Sequence, residues 1–248
     1  MGKIVAIGGG EIKKGELLEI DKYIVSMAGK ENPRFLFIPT ASRDAGGYIN
    51  AVKREFKTKL GCSFSTLLFY LSDPDDDTVR EKISGADIIY VGGGNTAMMM
   101  AKWREHGVDI LLKKAYERGA VMCGISAGAI CWFKSGYSDS EAFYGDGGSL
   151  SFCEVDGLGL IDAVSCPHYN EPERKSFDAF VSDKHSCGIA IDSCAALIVE
   201  DSICKVLGTV PDSAVHILDA SEGTLKKSAV DSLETFSLSV IPNCEQTH

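Results

Sequence analysis

The run Val-Met-Cys-Gly-Ile-Ser-Ala-Gly-Ala-Ile-Cys-Trp-Phe-Lys, residues 121 to 134, sets one serine hydroxyl between an apolar stretch and a string of small residues. Val121 to Ile125 has the character of a buried strand, and Ala127 to Ile130 can turn at once into a helix. The spacing Gly124-x-Ser126-x-Gly128 has a steric meaning. A nucleophile on a tight strand-to-helix turn needs neighbours without side chains two residues to either side. The hydroxyl then stands clear of the sheet, and the N–H of Ala127 faces the place where an oxyanion would develop. The chemistry this suggests is acyl transfer to serine. The same five-residue pattern also occurs at ordinary strand-loop-helix junctions, so its context has to carry the reading.

A serine hydroxyl is a weak nucleophile without a base, and the base needs a carboxylate to orient it. Of the five histidines, His106 precedes Gly107 at a helix end, His185 sits in a polar turn, His216 falls within a C-terminal strand pattern and His248 is the last residue. His168 differs from these. It follows the apolar run Leu160 to Cys166 and precedes a helix, so a strand would deliver it to the active edge of a sheet. His168 is therefore the predicted base, with a structural or metal-binding role as the alternative. For the acid, Asp139, Glu141, Asp146, Glu154 and Asp156 all lie between serine and histidine. Most of these must be solvated surface charges. Asp139, short and flanked by serines, is the first choice and Glu141 the second.

The elements that must position these groups alternate. Strands are predicted at Lys3 to Ile7, Arg34 to Ile38, Ser65 to Leu71, Asp87 to Val91 and 121 to 125. Helices are predicted at 17 to 28, 48 to 60, 78 to 83, 96 to 103 and 108 to 119. Such alternation implies a doubly wound, mostly parallel α/β sheet with helices on both faces. Gly8-Gly9-Gly10 and Gly92-Gly93-Gly94 each leave a strand at its carboxyl end, where open α/β sheets bind ligands. The first run fails the dinucleotide fingerprint because Lys13 stands where the third glycine belongs, so it is read as bringing a loop close to the cleft. Asp73 to Asp77 lacks the later ligands of a calcium loop and is read as a helix cap. Ser135 to Leu158 is read as a long functional loop. A helix is predicted over 172 to 184, and short strands at 188 to 192, 195 to 200, 203 to 207 and 215 to 218 form a C-terminal β meander.

Composition bounds the function. The 248 residues, 45% hydrophobic, are expected to form a single domain over 1–248. A net charge of −10 argues against nucleic acid and anionic membranes as partners. No apolar run reaches the length of a membrane span, and the glycine-broken N-terminus is unlike a secretion signal, so a cytoplasmic location is expected. The nine cysteines form no CxxC pair, which points to a reducing compartment with neither metal site nor disulfide framework. No cofactor is expected.

Three motifs in order, Val91-Gly-Gly-Gly-Asn-Thr96, Gly124-Ile-Ser-Ala-Gly-Ala129 and Pro167-His-Tyr169, resemble the peptidase E family of serine peptidases, the aspartyl dipeptidases and cyanophycinases. The resemblance covers about three quarters of the chain. It implies a class I glutamine amidotransferase-like fold, with Ser126 as nucleophile, His168 as base, and Asp139 or Glu141 as acid. It further implies Gly94 and Ala127 as oxyanion-hole donors, and Asn95 and Arg174 as substrate-binding residues. The implied activity is hydrolysis of small peptides through an acyl-enzyme, by a monomer or homodimer, with a preference for N-terminal Asp or β-Asp linkages. Two rivals stand beside it. One is an α/β-hydrolase esterase, which would use His216 as base; the other is a catalytically silent ligand-binding protein of the same fold.

Overall fold

The computed structural model describes residues 2–143 and 151–240. In chain order its strands are β1 (Lys3–Ile7), β2 (Arg34–Ile38), β3 (Ser63–Thr66), β4 (Ile88–Val91), β5 (Val121–Ile125), β6 (Phe133–Ser138), β7 (Cys153–Asp156), β8 (Ile161–Pro167), β9 (Cys187–Ile191), β10 (Ala195–Glu200), β11 (Ile203–Gly208), β12 (Val215–Asp219), β13 (Lys226–Val230) and β14 (Thr235–Ser237). The α-helices are α1 (Leu18–Met27), α2 (Gly46–Lys53), α3 (Asp76–Gly85), α4 (Thr96–Glu105), α5 (Val108–Glu117), α6 (Ala127–Ile130) and α7 (Phe177–Asp183).

These strands form two sheets. The larger runs β14-β11-β10-β1-β5-β4-β2-β3. Its five strands from β3 to β1 are mutually parallel, and β10, β11 and β14 extend it antiparallel. The smaller runs β13-β12-β9-β8-β6-β7, parallel only across β6-β8-β9. The expected α/β architecture is present, with mixed rather than uniform sheets. The alternation of side chains along a strand explains the layers. Ile4 and Ala6 of β1 join α3, α4, α5 and one face of the second sheet in one core, while Val5 and Ile7 join α1 and α2 in another. A third core packs α7 against the outer face of the second sheet through Cys166, Phe177, Val181 and Leu218.

Three expectations are corrected. Residues 188 to 218 do not make one meander edging one sheet: β9 and β12 belong to the smaller sheet, β10 and β11 to the larger. The stretch 135–158 is not one long loop, because β6 and β7 occupy its two ends and pair with each other. The helix over 172–184 starts as a 3₁₀ turn, Pro172–Ser176, before α7. By contrast, Asp75 caps α3 as expected, accepting the Thr78 N–H at 2.8 Å. No helix among the described residues is long and apolar enough to cross a membrane.

Beneath α1 and α2 the second core contains a polar fault. Asp21 is 1% exposed, and neither of its carboxylate oxygens has a hydrogen-bond partner. Burial, reinforced by the charge of Glu55 and only partly opposed by Lys59, holds its carboxyl well above the usual range. The folded state therefore favours protonated Asp21. The stability this proton contributes is full below the ordinary carboxylate pKa and is lost as pH rises. Asp21→Asn, which is neutral throughout, is expected to melt above the wild type at pH 7, the difference vanishing below about pH 4. Thermal melts across that range check it; a constant difference would place the effect in packing instead.

Candidate active site

Three consecutive carbonyls at the exit of β1 organise the site. The Ile7 carbonyl accepts the N–H of Ser126 at 2.9 Å, that of Gly8 the N–H of His168 at 3.1 Å, and that of Gly9 the N–H of Cys194 at 2.9 Å. The two sheets thus meet at their carboxyl edges. β5 ends beside β1, with Ile125 opposite Ile7, and β8 ends at His168.

Ser126 occupies φ 56°, ψ −116° between β5 and the single turn of α6. That conformation is strained for a residue with a side chain. The flanking glycines have steric duties: a Cβ on Gly124 would collide with the Gly128 carbonyl, and one on Gly128 with that of Val91. The turn closes only because both are absent.

His168 also has positive φ, 56°. Its Nε2 lies 3.0 Å from Ser126 Oγ. Its Nδ1 lies 3.0 Å from Ser193 Oγ and 3.1 Å from Glu171 Oε1. A Cβ on Gly9 would overlap the imidazole, so the first glycine run seats the ring. Burial lowers the imidazole's affinity for a proton below the ordinary histidine value, and the Glu171 charge is the largest opposing influence. A hydroxyl facing one ring nitrogen and a carboxylate facing the other is the arrangement serine acyl transfer requires.

The predicted acids fall elsewhere. Asp139 Oδ2 accepts from Arg174 Nη2 at 2.9 Å, because Arg174 is nine-tenths buried and needs a counter-charge. Glu141 lies exposed in the 3₁₀ turn Ser140–Phe143 and accepts from Ser151 Oγ. Glu154 binds Ser135 and Lys184, and Asp156 is exposed. Asp146 and His248 lie outside the described residues. The carboxylate on Nδ1 is Glu171, outside the interval searched in the sequence. The signal that could have found it is its i+3 spacing from His168 before Pro172, which starts a 3₁₀ turn.

Of the two residues expected to donate to an oxyanion, Ala127 directly follows the serine and Gly94 lies in the turn after β4. Gly94, at φ 139°, packs its α-carbon against the Ala41 carbonyl, and Ala127 opens α6. Gly93 is the nearer neighbour, since a Cβ built on it would stand 3.3 Å from Ser126 Cβ. The two residues expected to bind substrate are both buried. Asn95 is 3% exposed and caps α4, accepting from Met98 N–H and donating to the Ser140 carbonyl. Arg174 donates to Asp139 and the Tyr137 carbonyl and lies over the Phe152 ring. His216 Nε2 pairs with buried Asp192 at 3.1 Å, away from Ser126.

Ser126 and His168 open on a cleft of about 360 Å³ between the loop at residues 10–13 and the start of α2. A hollow of about 400 Å³ near Glu117, Lys134 and Asp162 brings together no nucleophile and base, so size does not select the site. Among the described residues no group of three His, Cys, Asp or Glu could hold a metal ion.

Comparison with known proteins agrees with this geometry. The model of peptidase family S51 matches residues 4–207. The chain is 39% identical over 201 residues to the uncharacterized peptidase YgaJ of Bacillus subtilis (strain 168), covering 79% of this chain and 83% of that one. It is 30% identical to the uncharacterized peptidase Lin0382 of Listeria innocua, over 59% of this chain and 70% of the relative. The crystal structure of a peptidase from an acI-B1 Actinobacterium superposes with a TM-score of 0.73 at 23% identity, covering 96% and 97% of the two chains. That of a putative peptidase E protein from Listeria monocytogenes EGD-e gives 0.61 at 18% identity, covering 93% and 100%. The chain belongs to peptidase family S51, the serine peptidase family its motifs resemble.

Proposed function

We propose that the protein hydrolyses small peptides through an acyl-enzyme on Ser126, with His168 as general base and Glu171 as the carboxylate that orients it. The observation that carries this is the Ser126 Oγ to His168 Nε2 distance of 3.0 Å, with Glu171 Oε1 3.1 Å from the other ring nitrogen. Ser126 attacks the amide carbonyl while its proton passes to Nε2. The imidazolium is held by Glu171, and the hydroxyl of Ser193 offers a second acceptor to Nδ1–H. His168 then gives the proton to the leaving amine, and water, activated by the same imidazole, releases the acid. The N–H groups of Gly94 and Ala127 are assigned to the developing oxyanion, worth about 3 kcal/mol per donor where such donors have been removed. Glu171 touches the histidine and not the substrate, and so acts as a positioning residue.

Ser126→Ala is expected to fold normally and lose hydrolysis by about 10³-fold or more. Ser126→Gly loses activity equally but, freed of backbone strain, is expected to be about 1 kcal/mol more stable than Ser126→Ala. Peptide turnover and denaturant titration of both variants separate the nucleophile from its strain, and retained hydrolysis in either would overturn the assignment.

The pH profile tests the histidine and its partner together. Burial lowers the His168 pKa, so the free base persists to lower pH, and kcat/KM is expected to rise with pH on a limb whose midpoint lies below 6.5. Glu171→Gln removes the charge that opposes this lowering. Its limb is expected to move to still lower pH while kcat falls roughly 10- to 100-fold. A fall in kcat with an unmoved limb would make Glu171 merely structural.

A further inference from the structure

We infer that the hydroxyl of Tyr48 is a third donor to the oxyanion, supplied by a side chain from the α2 wall of the cleft. This deepens the peptidase reading, in which main-chain N–H groups alone serve that oxygen, and rests on it.

The three glycines after β4 show what their turn is shaped around, because a Cβ at each would meet a different obstacle. On Gly92 it would come within 2.9 Å of Tyr48 Cε1, on Gly93 within 3.3 Å of Ser126 Cβ, and on Gly94 within 2.2 Å of the Ala41 carbonyl oxygen. Gly92 therefore admits the tyrosine ring and Gly93 the serine, so two adjacent positions of one turn seat the two side chains. Gly94 docks that turn on the segment leading into α2. The Gly93 N–H completes the link, donating to the Tyr48 hydroxyl at 3.4 Å. Tyr48 lines the same cleft as Gly93, Ser126 and His168.

The ring is held without help from its hydroxyl. It meets Phe37 edge-on, with 5.2 Å between centroids, and stands in the first turn of α2. The loop before that helix is pinned by buried Asp44, which accepts the Tyr70 and Leu71 N–H groups. A phenylalanine would make the same ring contacts. The hydroxyl's own proton goes to no described residue, and the long bond from Gly93 occupies only one lone pair, so the O–H is free to turn to a ligand. Burial, opposed by the Gly93 N–H, pushes the phenol up to about 12, so this proton is present wherever His168 can act as a base. An unspent donor on a fixed ring, beside the nucleophile's turn, is placed to meet negative charge as it develops on a carbonyl oxygen.

As Ser126 Oγ bonds to the substrate carbonyl carbon, its proton passes to His168 Nε2 and the π pair of the carbonyl moves onto oxygen. Tyr48 hydrogen-bonds to that oxygen and keeps its proton. When the pair returns, the C–N bond breaks and the proton on Nε2 leaves with the amine.

The test compares full-length wild type and Tyr48→Phe, with Ser126→Ala as the background, in acylation by p-nitrophenyl acetate, which develops the same oxyanion whatever peptide the cleft prefers. Affinity for an alkyl trifluoromethyl ketone is measured beside it, since its adduct with Ser126 is a hemiketal oxyanion. Tyr48→Phe is expected to fold, to acylate about 10²-fold more slowly with the half-saturating ester concentration within about threefold of wild type, and to bind the ketone about 10²-fold less tightly. Acylation within about threefold of wild type overturns the inference, as does a loss confined to half-saturation or one that spares ketone binding. A ring-fluorinated tyrosine at position 48 separates a donor from a brace for Gly93, because its phenolate still accepts the Gly93 N–H but has no proton to give. Acylation by that protein is expected to fall as the phenol ionises, at pH values where the wild type is level; a level profile overturns the inference, and this arm decides if Tyr48→Phe fails to fold. Fluorophosphonate labelling of Ser126, taken to completion, keeps the two readings apart. A wild type that labels, beside a Tyr48→Phe protein that acylates normally, loses the tyrosine and keeps the nucleophile, whereas a folded wild type that neither labels nor acylates loses both.

Discussion

The site depends on where one strand stops. Among the described residues β1 alone pairs both with the serine-bearing β5 and with β10, which follows the β9–β10 turn carrying Ser193. As it leaves the sheet, its next carbonyls take N–H donors from three separate chain segments: the serine turn, the histidine turn, and the loop holding Ser193. Each such bond contributes only about 1 kcal/mol. Together they fix the relative height of two sheets that otherwise touch through apolar side chains, which do not specify register. The 3.0 Å between hydroxyl and imidazole is therefore set by backbone, and side-chain rotamers only finish it.

That arrangement is strained, and the strain is local. Five of the nine described non-glycine residues with positive φ, namely Arg43, Asp44, Ser126, His168 and Cys194, lie in the loops around the cleft. Each costs on the order of 1–3 kcal/mol in isolation. The compensation is visible next to each. Asp44 is buried and accepts the N–H groups of Tyr70 and Leu71, which hold its loop against the body. Ser126 and His168 are tied to β1, and Cys194 to Gly9. Ala127, Gly128 and Ala129 then let α6 pack closely against β4, β5 and β8. Strain concentrated where chemistry is proposed and buttressed by main-chain bonds is what a preorganised site requires.

How much of this is legible in the sequence follows from how local each determinant is. The serine turn is legible because its glycines exclude clashes within five residues, and His168 because an apolar strand delivers it. The second sheet is not. Ala195–Glu200 and Cys187–Ile191 have the same buried, apolar look, and only the partner each finds, β1 or β8, separates them. The carboxylate beside the His168 ring is illegible for a different reason. Asp139 and Glu171 are equally acidic in the sequence, but Asp139 is consumed by a buried arginine whose burial no local pattern reveals. Gly9 shows a further limit: its role is to leave room for a ring that is 159 positions away in the chain.

The charges around the imidazole complete the logic. Desolvation alone would favour neutral His168. Arg174 pushes in the same direction, while Glu171 and Asp139 push back. Arg174 and Asp139, paired with each other, act on the ring with opposite signs. Glu171, half exposed, places Oε1 3.1 Å from Nδ1 of the ring. Of these groups Glu171 is the one whose carboxylate oxygen lies within reach of the ring, so it is the charge best placed to oppose loss of the proton.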